Sequence, residues 1–150
     1  MNIQFYNLGT VNDRELKFAV ISTLYNKKWL YVRHKERETW EIPGGHRELG
    51  EKITETAKRE LFEETGCKEA DLMPICDYSM DDTVSKIFGR LYVAHVKVIG
   101  KLPISEIGEV KLFDSLPNDL TYIDIQPMLF EKTLTFIENY KMFTKSNGEL

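Results

Sequence analysis

The stretch GHRELGEKITETAKRELFEETGC, from Gly45 to Cys67, constrains this chain more than any other. Its spacing predicts a helix from Lys52 to Thr65. Ile53, Ala57 and Leu61 recur at i, i+4 and i+8 as a buried stripe, and Gly66 suits the C-terminal stop. Glu60, Glu63 and Glu64 fall at i, i+3 and i+4, so they share one helix face. Like charges at that spacing repel, and an isolated helix gains nothing by gathering them. Something cationic is the expected compensation. Oxygen-only, carboxylate-rich sites suit hard cations such as Mg²⁺ or Mn²⁺, which keep coordination positions open for water and phosphate.

Written by position, the stretch is Gly45-x5-Glu51-x7-Arg59-Glu60-Leu61-x-Glu63-Glu64-x-Gly66-Cys67. It resembles the signature of the Nudix hydrolases, G-x5-E-x7-R-E-U-x-E-E-x-G-U, where U is a bulky aliphatic residue. Every fixed position matches, and Cys67 in the last U position is the one departure, small and apolar enough to pack there. The resemblance covers this box and the few residues before it. It implies an α/β Nudix fold, a mixed β-sheet sandwiched between α-helices, with residues 1–150 forming a single Nudix hydrolase domain. It implies Mg²⁺ as cofactor, with Mn²⁺ as the alternative. Glu63 and Glu64 become the main metal-binding carboxylates, and Glu60 a ligand or the base that prepares the water. A backbone carbonyl at Gly44 or Gly45 completes the metal shell, Arg59 orients Glu60, and Glu51 supports the ions. Each also has a plainer reading: a surface ion pair for Arg59, a helix-start residue for Glu51, turn residues for the glycines. His46 and Arg47 are candidate phosphate contacts. A carboxylate outside the box often assists in this family; of the segment ISEIGE, Glu106 is preferred over Glu109 because it sits in a predicted loop.

At 150 residues the chain fits one domain with a substantial core. The formal net charge of −4 does not invite nucleic acid or an anionic membrane, so a polyphosphate must be drawn by a local patch or by bound cations. No apolar run approaches a membrane span, and the N-terminus lacks a basic segment followed by an apolar core. Cys67 and Cys76 form no recognisable disulfide framework. The expectation is a cytoplasmic monomer or homodimer acting on a small nucleotide.

Residues 17–25 (KFAVISTLY) and 29–34 read as a strand pair joined by a turn at Asn26-Lys27-Lys28. Trp40-Glu41-Ile42 reads as a short extended piece ended by Pro43-Gly44-Gly45. Further strands are expected at 72–78, 87–98 (long enough to bend or carry a bulge) and 109–113, and a terminal amphipathic helix from Ile125 to about Phe143. His34 and His95 fall inside predicted strands and read as packing or surface residues.

The box handles a diphosphate; the rest of the pocket chooses what is attached to it. Trp40–Gly45 resembles the entry to the box in MutT-like nucleoside triphosphate pyrophosphohydrolases, and markers of the ADP-ribose and dinucleoside polyphosphate branches are not seen. The expected substrate is a nucleoside triphosphate, ordinary or oxidised, cleaved to the monophosphate and pyrophosphate. Phe88, Tyr92 or Phe113 could stack on the base. Asn118 is a candidate base reader or a helix cap. The alternatives are a Nudix hydrolase of nucleotide sugars, dinucleoside polyphosphates or RNA 5′ ends, the last disfavoured by the acidic balance, and a non-catalytic nucleotide-sensing Nudix module.

Overall fold

The computed structural model describes residues 2–140. The elements run β1 (Asn2–Tyr6), a 3₁₀ turn (Asp13–Glu15), β2 (Leu16–Tyr25), β3 (Lys28–His34), β4 (Gly44–His46), α1 (Ile53–Thr65), β5 (Cys67–Asp81), β6 (Lys86–Ile99), β7 (Ile107–Phe113) and α2 (Gln126–Asn139). The strands form one mixed sheet in the order β1-β5-β6-β2-β3-β7, with β4 added on β2. Among these strands of the described residues, only β2 and β6 pair in parallel; the other strand pairings are antiparallel.

Alternation along β2 makes the layers. Ala19 and Ile21 join one core with Ile53, Ala57 and Leu61 of α1, as the helical stripe predicts. Val20 and Leu24 turn to the other face and pack with Leu129 of α2, Trp29 and Tyr31. Each face of the sheet is therefore covered by one helix, the sandwich expected. Trp29 packs edge-on against Phe130 with ring centroids 5.1 Å apart, so it covers the second core of its own chain. Among the described residues, no helix is long and apolar enough to cross a membrane. Cys67 and Cys76 are both buried and free.

The β2–β3 hairpin closes through Asn26 and Lys27 alone, at φ 51° and 65°. Positive φ at both central residues matches the right-handed twist of the strands. The long strands extend beyond the residues expected for them, and β5 and β6 slip register at three places, one of them between Pro74 and Cys76. A bulge is where a strand tolerates a proline, which has no N–H to give. α2 begins at Gln126, so Asn118 does not cap it; of the expected extension to Phe143, residues 141–143 lie outside the described residues.

Pro43-Gly44-Gly45 does not end the extended piece. Gly44 and Gly45 form β4, pairing antiparallel with Val20 and Ala19. Neither has positive φ; among the described residues, the positive-φ glycines are Gly9, Gly50 and Gly66. Their missing side chains permit close approach instead of a turn. A Cβ on Gly44 would sit 2.6 Å from the Ala19 carbonyl, and one on Gly45 would run into the Glu60 carboxylate.

Candidate active site

Arg59 stands at the centre of the acidic face. Its Nε donates to Glu51 Oε2 at 2.6 Å, and Nη2 donates to Glu51 Oε1 and to the His46 carbonyl, both at 3.0 Å. Its Nη1 donates to Glu60 Oε1 at 2.6 Å and to Glu63 Oε2 at 3.1 Å. This planar fork ties the loop before α1 to the helix face, beyond what a surface ion pair does. The arginine hydrogen bonds hold the Glu51 carboxyl down at about 2. Glu51 also accepts from the Glu48 N–H and the Thr56 hydroxyl, which ties the loop before α1 to the first turn of the helix. The neighbouring cap comes from Glu55, which accepts from the Lys52 N–H at 2.7 Å.

Glu60 and Glu64 lie deeper. Glu64 accepts from the Gly44 N–H at 3.0 Å, but burial pushes its carboxyl up to about 8, with the charges of Glu60, Glu41 and Glu106 adding to the effect. Burial also raises Glu60, against the opposing pull of Arg59. Glu63 is about half exposed, its side chain 44% accessible. Among the described residues, no three His, Cys, Asp or Glu side chains already stand together closely enough to hold a metal ion. Arg59 is the cation that Glu60 and Glu63 face. The donors nonetheless fit a hard divalent cation. All are oxygens, and the buried Glu64 carboxyl needs compensating charge to ionise at neutral pH. Gly45 lets the Glu60 carboxylate lie directly against β4, in the space that a Cβ would take.

Other candidates fall in distinct places. The exposed His46 ring rests on Phe18, centroids 4.3 Å apart. Arg47 is occupied in pinning the 3₁₀ turn: it donates to the carbonyls of Asp13 and Arg14 and pairs with the Asp13 carboxylate at 3.6 Å. Phe88 packs against the first core beside Tyr6, and Tyr92 is buried in that core with its hydroxyl on Thr54. Phe113 lies on the opposite face, edge-on to both Tyr31 and Trp40, with the Lys111 ammonium 5.3 Å from its ring centre. The Tyr31 hydroxyl there is buried without a hydrogen-bond partner. Asn118 is exposed in a loop whose next residue, Asp119, accepts from the Trp40 N–H at 2.8 Å. Phe113 and Asn118 are thus brought to the Trp40 side, and Phe88 is not.

Glu106 is 83% exposed, yet its charge reaches both Glu60 and Glu64. Two neighbours escaped the sequence reading. Glu41 acts electrostatically on Glu64, and His34 lies between Glu41 and Glu106. The alternation Trp40-Glu41-Ile42 carried the signal for Glu41: Trp40 and Ile42 join the second core, which turns Glu41 to the face of α1.

The family model described as the NUDIX domain matches residues 15–122. The candidate 8-oxo-dGTP diphosphatase YtkD of Bacillus subtilis (strain 168) is 32% identical over 100 residues, 65% of this chain and 61% of that protein. Nucleoside diphosphate-linked moiety X motif 6 of Mus musculus is 56% identical over 36 residues, 24% of this chain and 12% of that one. The chain therefore spans less than two thirds of the length of either relative. Among solved structures, the Bacillus subtilis pyrophosphohydrolase BsRppH superposes with a TM-score of 0.77 at 24% identity, covering 89% of this chain and 90% of that one. A UDP-X diphosphatase superposes at 0.71 and 21%, covering 87% and 66%. At those identities the structures speak for the fold alone. With the signature complete, three of its glutamates gathered on Arg59, and residues 15–122 matched, this protein belongs to the Nudix family.

Proposed function

We propose that this single-domain protein is a cytoplasmic pyrophosphohydrolase that cleaves a nucleoside triphosphate, ordinary or oxidised, to the monophosphate and pyrophosphate. One observation carries the reading: Glu60 and Glu63 converge on Arg59, Glu64 is held beside them by the Gly44 N–H, and the Glu60 carboxylate lies against Gly45 of the same glycine strand. The identity to the candidate 8-oxo-dGTP diphosphatase supports the substrate class.

Glu60, Glu63, Glu64 and the Gly44 carbonyl would hold Mg²⁺, with Mn²⁺ as a substitute. When bound, the cation neutralises phosphate charge and acidifies water. Arg59 fixes the rotamer of Glu60, and Glu51 fixes Arg59 from the other side. Water adds to phosphorus, the phosphoanhydride P–O bond breaks with its electrons going to the leaving phosphate oxygen, and the water's proton passes to the Glu106 carboxylate. Phe113 and Asn118 are best placed for the base, beside Trp40 and the unpartnered Tyr31 hydroxyl. Phe88 contributes from the first core only by supporting the sheet. His46 is available to phosphate, whereas Arg47 would first have to leave Asp13.

The test is incubation with Mg²⁺ and a panel of ordinary and oxidised nucleoside triphosphates, ADP-ribose, UDP-sugars and diadenosine polyphosphates, with product identification. Release of pyrophosphate and a monophosphate from one triphosphate is expected. Preferred cleavage of another class would replace the substrate, and absence of turnover by folded, metal-binding protein would leave a sensor.

A further inference from the structure

β3 ends at His34, opposite a bulge. Arg33 pairs with Glu109 but His34 pairs with Ile107, so Gly108 is the extra residue on β7. Bulges beside active sites re-aim neighbouring side chains. Pairing then continues one step further, with the Lys35 N–H donating to the Glu106 carbonyl at 2.8 Å. The outcome is an imidazole between two carboxylates: His34 Nε2 is 3.2 Å from Glu41 Oε1, and Nδ1 is 3.6 Å from Glu106 Oε2.

The two carboxylates differ in what else holds them. Glu41 is 13% exposed, its other oxygen takes a hydrogen bond from Arg37 Nη1 at 3.1 Å, and its backbone is bonded both ways to Val32. It is a fixed post. Glu106 is 83% exposed, and its side chain has no other ion-pair or hydrogen-bond partner among the described residues. A glutamate so exposed samples several rotamers unless something holds it. His34, only 22% exposed at the end of a rigid strand, is placed to do that. Whichever ring nitrogen carries the proton, a carboxylate faces it.

We propose that His34 is a positioning residue, braced on Glu41, that fixes the rotamer of the Glu106 carboxylate within electrostatic reach of Glu60 and Glu64. The assignment rests on the proposed role of Glu106 as the proton acceptor. Residues with their own supporting contacts hold productive geometry, and an ångström of misplacement can cost about 100-fold in rate.

Two measurements test it. In metal-free protein, the ring ¹⁵N resonances of His34, assigned with His34→Gln, are expected to shift on Glu106→Gln and on Glu41→Gln, while those of His95 do not. Unmoved His34 resonances in Glu106→Gln would overturn the bridge. In the second, kcat and KM are measured with Mg²⁺ and the fastest substrate of the panel. His34→Ala is expected to lower kcat about 10- to 100-fold with little change in KM. His34→Gln, which keeps a donor, should recover part of that loss. In a Glu106→Gln background, His34→Ala should cost almost nothing more. An equal factor lost in both backgrounds would reduce His34 to a merely structural residue and overturn the proposal. Undiminished kcat in Glu106→Gln would instead remove Glu106 from the chemistry, with the resonance shifts still judging the bridge.

Discussion

Arg59 donates to three glutamates and one backbone carbonyl, so truncating it removes the one side chain that ties Glu51, Glu60 and Glu63 together. Arg59→Ala is expected to lower kcat about 100-fold while weakening nucleotide binding much less, because its proposed work is orientation. Steady-state kinetics paired with binding to a slow analogue would check this; an unchanged kcat with poorer affinity would make Arg59 a substrate contact. Glu63→Gln removes one charge without opening a cavity, so its melting temperature should hold while turnover falls about 100-fold. Near-normal activity would take Glu63 out of the metal site. Glu64 sets a pH dependence with a definite sign. Its carboxyl, held up to about 8 in the folded protein, keeps a proton that the unfolded chain has already lost above about 4.5. Between those values the folded state binds more protons. Its contribution is complete below about 4.5 and is lost as pH rises to about 8, by up to about 1.4 kcal/mol per pH unit. Glu51, held down at about 2, adds no slope in that window, because its contribution is lost only as pH falls toward its folded value. Urea unfolding of the metal-free protein at pH 5, 6.5 and 8 should therefore show a decline that Glu64→Gln lessens. Mg²⁺ binding should release a proton at pH 7 and tighten with pH. Equal slopes in wild type and variant would contradict the buried carboxyl.

At the scale of elements, β4 and α1 are mutually dependent. Gly45→Ala brings a methyl group against the Glu60 carboxylate, which can yield only by leaving Arg59. Gly44→Ala meets backbone, the Ala19 carbonyl and Val20 Cα, which cannot yield. Gly44→Ala is thus expected to cost stability, about 1–3 kcal/mol, and Gly45→Ala chiefly activity; urea midpoints and kcat separate the two. A Gly45→Ala protein with full activity would show that this close approach is not needed. The same pair shows where sequence is informative. The helix was readable because its apolar stripe, its stop glycine and its signature all lie within one short span. The β4 strand was not, because Pro-Gly-Gly has the composition of a turn, and its pairing with Ala19 and Val20 is fixed by a partner some two dozen residues upstream. Asn118 and the strand register share that limitation. The cluster of box residues was legible from spacing, whereas His34, Glu41 and Glu106 come together only through strand pairings that no local pattern records.

Across the whole molecule, one sheet serves two cores. β2 contributes Ala19 and Ile21 to one side and Val20 and Leu24 to the other, so neither core can be lost alone without stripping the shared strand. Ser22 and Thr133, joined hydroxyl to hydroxyl at 2.7 Å, bind the terminal helix to that same strand. Both tryptophans, Trp29 and Trp40, report the α2 side. Their fluorescence and the far-ultraviolet circular dichroism of the whole chain should therefore give one urea midpoint; separate midpoints would mean independently stable halves. The parallel pairing of β2 with β6 has a further consequence during synthesis. Its register joins Leu16–Leu24 to Phe88–His95, so the middle of the sheet closes only after a long loop containing α1 has been made. Such long-separation pairings form late, and strands awaiting them are exposed meanwhile. A nascent chain on the ribosome would carry every carboxylate of the signature while lacking the sheet that aims them, and under the proposed mechanism would remain catalytically silent until β6 and, beyond it, Glu106 had emerged.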